Sequence, residues 1–147
     1  GIGIYGYGND PFFNNKLKPV LSIKSVISQI HSIKKNDSVG YNKGFIADKD
    51  RKIGIIPIGH ADGINRGLGN GKIGFMINDY VAKTIGNICM DMLMVDITNI
   101  DCKEGDIVSI IDEKNQTAEE IGNMSNTISY EVLTSISSRM KRIIIEN

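Results

Sequence analysis

The sequence predicts a mostly β domain, a Greek-key-type β-barrel with one or two short helices near its C-terminus. Short apolar runs recur at 53–58, 73–77, 80–85, 93–97 and 107–111, separated by Gly, Asn and Asp clusters, the rhythm of an all-β sandwich or barrel. The runs are rich in Ile and Val, whose branched Cβ atoms suit a pleated surface. The last third of the chain changes character, with a helix-start pattern at Thr117-Ala118-Glu119-Glu120.

Taken in order, Gly8-Asn9-Asp10-Pro11 and Asn14-Asn15 are turn formers, so residues 1–16 read as the end of a preceding unit with a linker, and 17–147 as the domain. Within 20–33, Val20, Leu21, Ile23, Val26, Ile27, Ile30 and Ile33 fit a helix about as well as a bulged strand; β-branching favours one strand. Pro57 cannot donate to a ladder and belongs at a strand end or edge. Asn78-Asp79 forms a two-residue hairpin turn tolerant of positive φ. Thr117-Ala118-Glu119-Glu120 has the capping-box pattern, with Ile121 and Met124 behind it, and predicts a short helix. Residues 129–137 carry Val132, Leu133 and Ile136 at helical spacing, and 143–145 return to a strand-like run.

Composition narrows the function classes. With 147 residues, 41% hydrophobic and 23% charged, the chain is one ordinary globular domain rather than a disordered or coiled-coil segment. Lys+Arg and Asp+Glu number 17 each, and zero net charge removes the electrostatic footprint of a nucleic-acid or membrane-surface binder. Only 6% of residues are aromatic, which also argues against a single-strand binder of the OB type. Cys89 and Cys102 match neither a zinc spacing nor a disulfide framework, so a reducing, cytoplasmic setting is expected. No apolar run is long enough to span a membrane, and a chain opening on Gly1 in a Gly-rich stretch suggests a piece of a longer polypeptide.

Several motifs are decoys. Gly1-x-Gly3-x-x-Gly6 matches the dinucleotide fingerprint, but Tyr7 to Pro11 cannot open the helix that fingerprint needs. The Gly67–Lys72 stretch puts Ile73 where a phosphate loop needs Ser or Thr. His31 and His60 lack companions at metal-ligand spacing, so no metal site is expected, and Cys89 reads as an inert thiol.

Four phrases carry more. They are Val39-Gly40-Tyr41; Ile56-Pro57-Ile58-Gly59-His60-Ala61-Asp62-Gly63; Ile85-Gly86-Asn87-Ile88-Cys89-Met90-Asp91; and Thr127-Ile128-Ser129-Tyr130-Glu131-Val132 followed by Ile136-Ser137-Ser138-Arg139. Together and in this order they resemble the C-terminal domain of the alanine racemases, which use pyridoxal phosphate. Gly1-Ile2-Gly3-Ile4-Tyr5-Gly6 is similar to the segment that ends the family's N-terminal barrel, so the resemblance spans essentially the whole chain.

The resemblance implies a homodimer in which this domain closes the active site on the other subunit's barrel, where a lysine holds the cofactor. No lysine here stands in that cofactor motif, so the fragment alone is expected to be inactive. Racemisation needs acid/base groups on both faces of a planar carbon. By resemblance Tyr41 serves the face opposite the cofactor lysine. Met90 matches the residue whose backbone N–H holds the substrate carboxylate, and Gly1, Ile2 and Tyr130 match positions that bind the cofactor phosphate. His60, Arg66 and Asn87 fall at the active-site entrance; His60 stands where many members have Tyr, and Asn87 where many have Arg. Lys141 replaces a proline usual in the closing phrase, which is read as structural only.

The expected activity is interconversion of L- and D-alanine for peptidoglycan synthesis. A serine or broader amino acid racemase, or a decarboxylase of the same two-domain build, is the alternative within the fold. A non-catalytic β-barrel interaction module is the alternative outside it, and predicts that Tyr41 tolerates Phe.

Overall fold

The computed structural model describes residues 1–8, 10, 12 and 16–145. Asn9, Pro11, Asn14 and Asn15 of the expected connector lie outside the described residues.

The described residues form nine strands: β1 (Ile23–Val26), β2 (Gln29–Ile33), β3 (Ser38–Val39), β4 (Phe45–Ile46), β5 (Arg51–Ile56), β6 (Gly74–Ile77), β7 (Tyr80–Lys83), β8 (Leu93–Asp96) and β9 (Ile107–Ile111). They make a four-stranded sheet ordered β1-β9-β6-β7, a three-stranded sheet ordered β2-β5-β8 and the hairpin β3-β4, with every pairing antiparallel. A single bridge, Thr84 to Val95, joins the two larger sheets. The result is a mostly β fold with two helices, its strands paired into three sheets among the described residues.

The stretch 20–33 is two strands instead of one. Ile23 and Ile27 are buried while Lys24 and Val26 are exposed, a strand alternation, and a bulge at Ile23/Lys24 disturbs the register. At Ile27 and Ser28 the chain leaves one sheet for the other. Ile27 N–H donates to Asp106 O at 3.0 Å, and Ser28 N–H already donates to Ile55 O at 2.8 Å on β5. The turn at Asn78-Asp79 forms as expected, with φ of 46° and 66° between Ile77 and its cross-strand neighbour Tyr80. Pro57 follows the last residue of β5.

Helix α1 (Ala118–Met124) opens on the expected capping box: Glu120 N–H donates to Thr117 Oγ1, and Thr117 N–H donates to Glu120 Oε2 at 2.7 Å. Tyr7 adds a cap that the sequence did not announce. Its ring is buried and its hydroxyl accepts from Ala118 N–H at 3.1 Å; burial raises its pKa above the ordinary phenol value, which keeps the hydroxyl neutral. Helix α2 (Ser129–Ser135) ends two residues earlier than expected. The run 143–145 forms no strand; Ile143, Ile144 and Ile145 lie exposed with no ladder to join.

Two apolar clusters hold the elements. The larger one fills the space between the two sheets with Phe75, Ile77, Val108 and Ile110 from one and Ile56, Leu93 and Val95 from the other, and takes in Ile121 and Val132 from the helices. The smaller cluster, Val39, Ile53, Ile85 and Met94 with Phe45 and Cys89 against it, underlies the β3-β4 hairpin. Each fully buried Ile or Leu contributes about 1.5–3 kcal/mol.

Candidate active site

Tyr41 begins the tight 3₁₀ turn Tyr41–Lys43 that joins β3 to β4. Val39 and Phe45, at the feet of this hairpin, pack into the smaller cluster, so the loop is anchored at its base. The phenol is 69% exposed, unlike a core tyrosine such as Tyr7. The loop is strained: Gly40, Asn42 and Lys43 have φ of 75°, 56° and 51°. Asn tolerates the left-handed region, but for Lys it costs about 1–2 kcal/mol.

Asn87 supports this loop from the neighbouring segment. Its Nδ2 donates to Tyr41 O at 2.9 Å, and its Oδ1 accepts from Asn70 Nδ2 at 3.0 Å. A Cβ on Gly44 would come within 2.6 Å of Asn87 Nδ2 and 3.1 Å of Asn87 N, so only glycine lets the Asn87 amide lie this close.

Three residues on, Met90 is 59% exposed at the tip of the turn before β8. Its carbonyl accepts from Ala61 N–H at 2.9 Å, and the carbonyl of Cys89 accepts from His60 N–H at 3.0 Å. A Cβ on Gly59 would meet both carbonyls at 2.4 Å, so the two loops can lie this close only because Gly59 has no side chain. With its carbonyl engaged, the amide of Met90 donates to no group among the described residues, which leaves an N–H available to an incoming carboxylate.

Arg139 ties these loops to the segment after α2. Its Nε donates to Asp62 Oδ1 at 2.7 Å and its Nη2 to Asp91 Oδ1 at 2.6 Å, beside Met90. Asp62 is buried, and its other oxygen accepts from Gly59 N–H at 2.9 Å. The hydrogen bond from Arg139 outweighs burial and holds the Asp62 carboxyl below the usual aspartate range. Asp62, Asp91 and Arg139 all lie inside the phrases noted in the sequence. Their pairing across 77 and 48 positions could not be seen there; the one signal was a charged residue, Asp62, Asp91 or Arg139, at or next to the end of three of the phrases.

His60, in the 3₁₀ turn His60–Asp62, and Arg66, in Arg66–Leu68, line a cleft of about 340 Å³ together with Glu131 and Val132 of α2. Tyr130 sits in the first turn of α2, 36% exposed. Gly1 and Ile2 open the 3₁₀ turn at the chain start. A Cβ on Gly1 or Gly3 would meet nothing within 4 Å, and the amides of Ile2 and Gly3 donate to no group among the described residues. Fixed N–H donors in open space suit a phosphate, and these residues fit part of a phosphate cradle. The structure therefore links Tyr41, Asn87, Met90 and His60 through interlocked loops and puts His60 and Arg66 on one cleft; among the described residues no bond joins Gly1 or Ile2 to that group.

Comparison with known proteins bears on the family of the chain. The model of the alanine racemase C-terminal domain matches residues 20–144. The chain is 38% identical to the alanine racemase of Helicobacter pylori (strain Shi470), over 99% of this chain and 40% of that protein. It is 39% identical to that of Clostridium tetani, over 100% and 40%. Among solved structures, the alanine racemase of Bartonella henselae with covalently bound pyridoxal phosphate superposes with a TM-score of 0.89 at 35% identity, covering 99% of this chain and 40% of that one. The Bacillus anthracis enzyme with bound L-Ala-P gives 0.89 at 28% identity, covering 100% and 39%. The chain thus spans about 40% of the length of the curated relatives it matches. On matched span, identity and shape together, the chain belongs to the family of alanine racemase C-terminal domains.

Proposed function

We propose that this chain is the C-terminal part of a pyridoxal-phosphate-dependent alanine racemase that interconverts L- and D-alanine, and that it supplies Tyr41 to the active site of the partner subunit. The observation that carries the reading is Tyr41 itself: a phenol 69% exposed on a strained loop, whose carbonyl is hydrogen-bonded by Asn87, three residues before the open amide of Met90. An exposed tyrosine with no packing role is what a docking active-site partner needs.

In the assembled enzyme a barrel domain preceding residue 17 holds the cofactor on its lysine, and two subunits pair so that each β domain closes the other's site. The Greek-key-type barrel expected of this domain belongs to the same proposal, as does division of the chain at residue 16. The cofactor, when bound, accepts the electron pair released from the Cα–H bond. Tyr41 exchanges the proton with Cα on the face opposite the lysine, Met90 N–H donates to the substrate carboxylate, and Gly1, Ile2 and Tyr130 donate to the cofactor phosphate. His60, Arg66 and Asn87 line the way in. The setting is cytoplasmic, the product serves peptidoglycan synthesis, and the fragment alone is inactive for want of the lysine.

The test is L-to-D alanine conversion by the full-length protein with pyridoxal phosphate, set beside Tyr41→Phe. Loss of an acid/base group lowers the rate by about 10²–10⁴-fold. Equal rates for the two proteins would make Tyr41 structural, and turnover of serine with none of alanine would move the substrate assignment.

A further inference from the structure

The loop that carries Tyr41 has little holding it from within. Its strands β3 and β4 contribute two residues each, three of its residues have positive φ, and beyond that short ladder the backbone bond from Gly44 N–H to Tyr41 O at 3.1 Å closes the loop. The same carbonyl has a second lone pair, and Asn87 Nδ2 donates to it.

The orientation of the Asn87 amide follows from chemistry. A carbonyl only accepts, so the NH₂ end must face Tyr41 O. The oxygen end therefore faces Asn70, whose NH₂ donates to it. Asn70 is itself fixed, because its backbone N–H donates to Gly86 O at 2.9 Å. A continuous chain of donors and acceptors thus runs from the 69–71 turn through Asn87 to the backbone of Tyr41.

We infer that Asn87 is a positioning residue: it sets where the Tyr41 phenol meets substrate, with Asn70 fixing Asn87 in turn. This goes beyond a place at the entrance, because both ends of the Asn87 amide are engaged inside the chain. It rests on the reading of Tyr41 as the proton carrier. An acid/base group must lie within hydrogen-bond reach of the atom it serves, and a displacement of about 1 Å costs about 10²-fold in rate.

Asn87→Asp keeps the side-chain shape and replaces the donor facing Tyr41 O by an oxygen. In the full-length holoenzyme it is expected to slow racemisation about 10–100-fold. Enantiomers have equal free energy in water, so kcat/KM must fall equally in both directions, and rate alone does not say which proton transfer has slowed. The deciding readout is the kinetic isotope effect with α-deuterated L- and D-alanine. Slower transfer at Tyr41 enlarges it for one enantiomer only, the same one that Tyr41→Phe enlarges. A second readout needs no turnover: amide exchange of the segment 38–46 should quicken about tenfold.

If Asn87→Asp does not retain cofactor absorbance, Asn70→Ala decides, with the same selective enlargement expected at smaller size. Isotope effects unchanged, or raised for both enantiomers alike, overturn the proposal when Tyr41→Phe remains slow, as does unchanged exchange at 38–46. A Tyr41→Phe enzyme as fast as the parent would instead remove the reading on which the proposal stands.

Discussion

Replacing Asp62 by Asn tests how the loops beside Met90 are held. The carboxylate accepts from Arg139 Nε at 2.7 Å and from Gly59 N–H at 2.9 Å, and its side chain is only 8% exposed. An Asn has one acceptor oxygen; if it keeps the buried Gly59 N–H, its NH₂ is left facing the guanidinium. A charge-assisted bond contributes about 1.5–3 kcal/mol, and because the Arg139 side chain is 51% exposed and screened by water, the loss should be about 1–2 kcal/mol. For a chain of this size that lowers Tm by about 2–8 °C. The sign with pH follows from the depressed carboxyl: its contribution is whole above the unfolded aspartate value near 3.9 and is lost as pH falls through the lower folded value. Urea unfolding followed by circular dichroism should show a constant gap between parent and variant from pH 7 to about 5, narrowing below about pH 4. Equal stability at pH 7, or a gap undiminished at the acid end, would refute the argument.

Gly59→Ala forces a Cβ onto the carbonyls of Cys89 and Met90, so the Met90 turn must shift; in the full-length enzyme KM for alanine should rise severalfold, and an unchanged KM would separate this turn from carboxylate binding. Tyr7→Phe leaves Ala118 N–H without its acceptor and should cost about 1–2 kcal/mol in urea unfolding. A variant as stable as the parent would mean that water replaces the phenol.

Much of the strand pattern was legible because it is local. The Asn78-Asp79 turn, the runs 93–97 and 107–111 and the Thr117 cap depend on neighbours in sequence, and each appears where the pattern put it. The stretch 20–33 misled because a change of sheet at Ile27 and Ser28 depends on Asp106 and Ile55, which no window around residue 27 contains. The triple Ile of 143–145 has strand propensity and no edge to pair with, so propensity had nothing to act on. At the site, Tyr41 and Met90 stood out through the phrases that hold them. The hairpin bearing Tyr41 did not, since two-residue strands are too short to show a period. The Asp62, Asp91 and Arg139 group is a long-range ion cluster, and its charges were visible while its pairing was not.

The division of the interior into two clusters has a corollary. The large one secures the body of the domain, while Val39, Ile53, Ile85 and Met94 form a separate seat for the hairpin of Tyr41. Substitutions in that small seat act first on the hairpin that carries Tyr41. On the role proposed for Tyr41, tuning of proton transfer and upkeep of the fold then draw on largely different sets of residues.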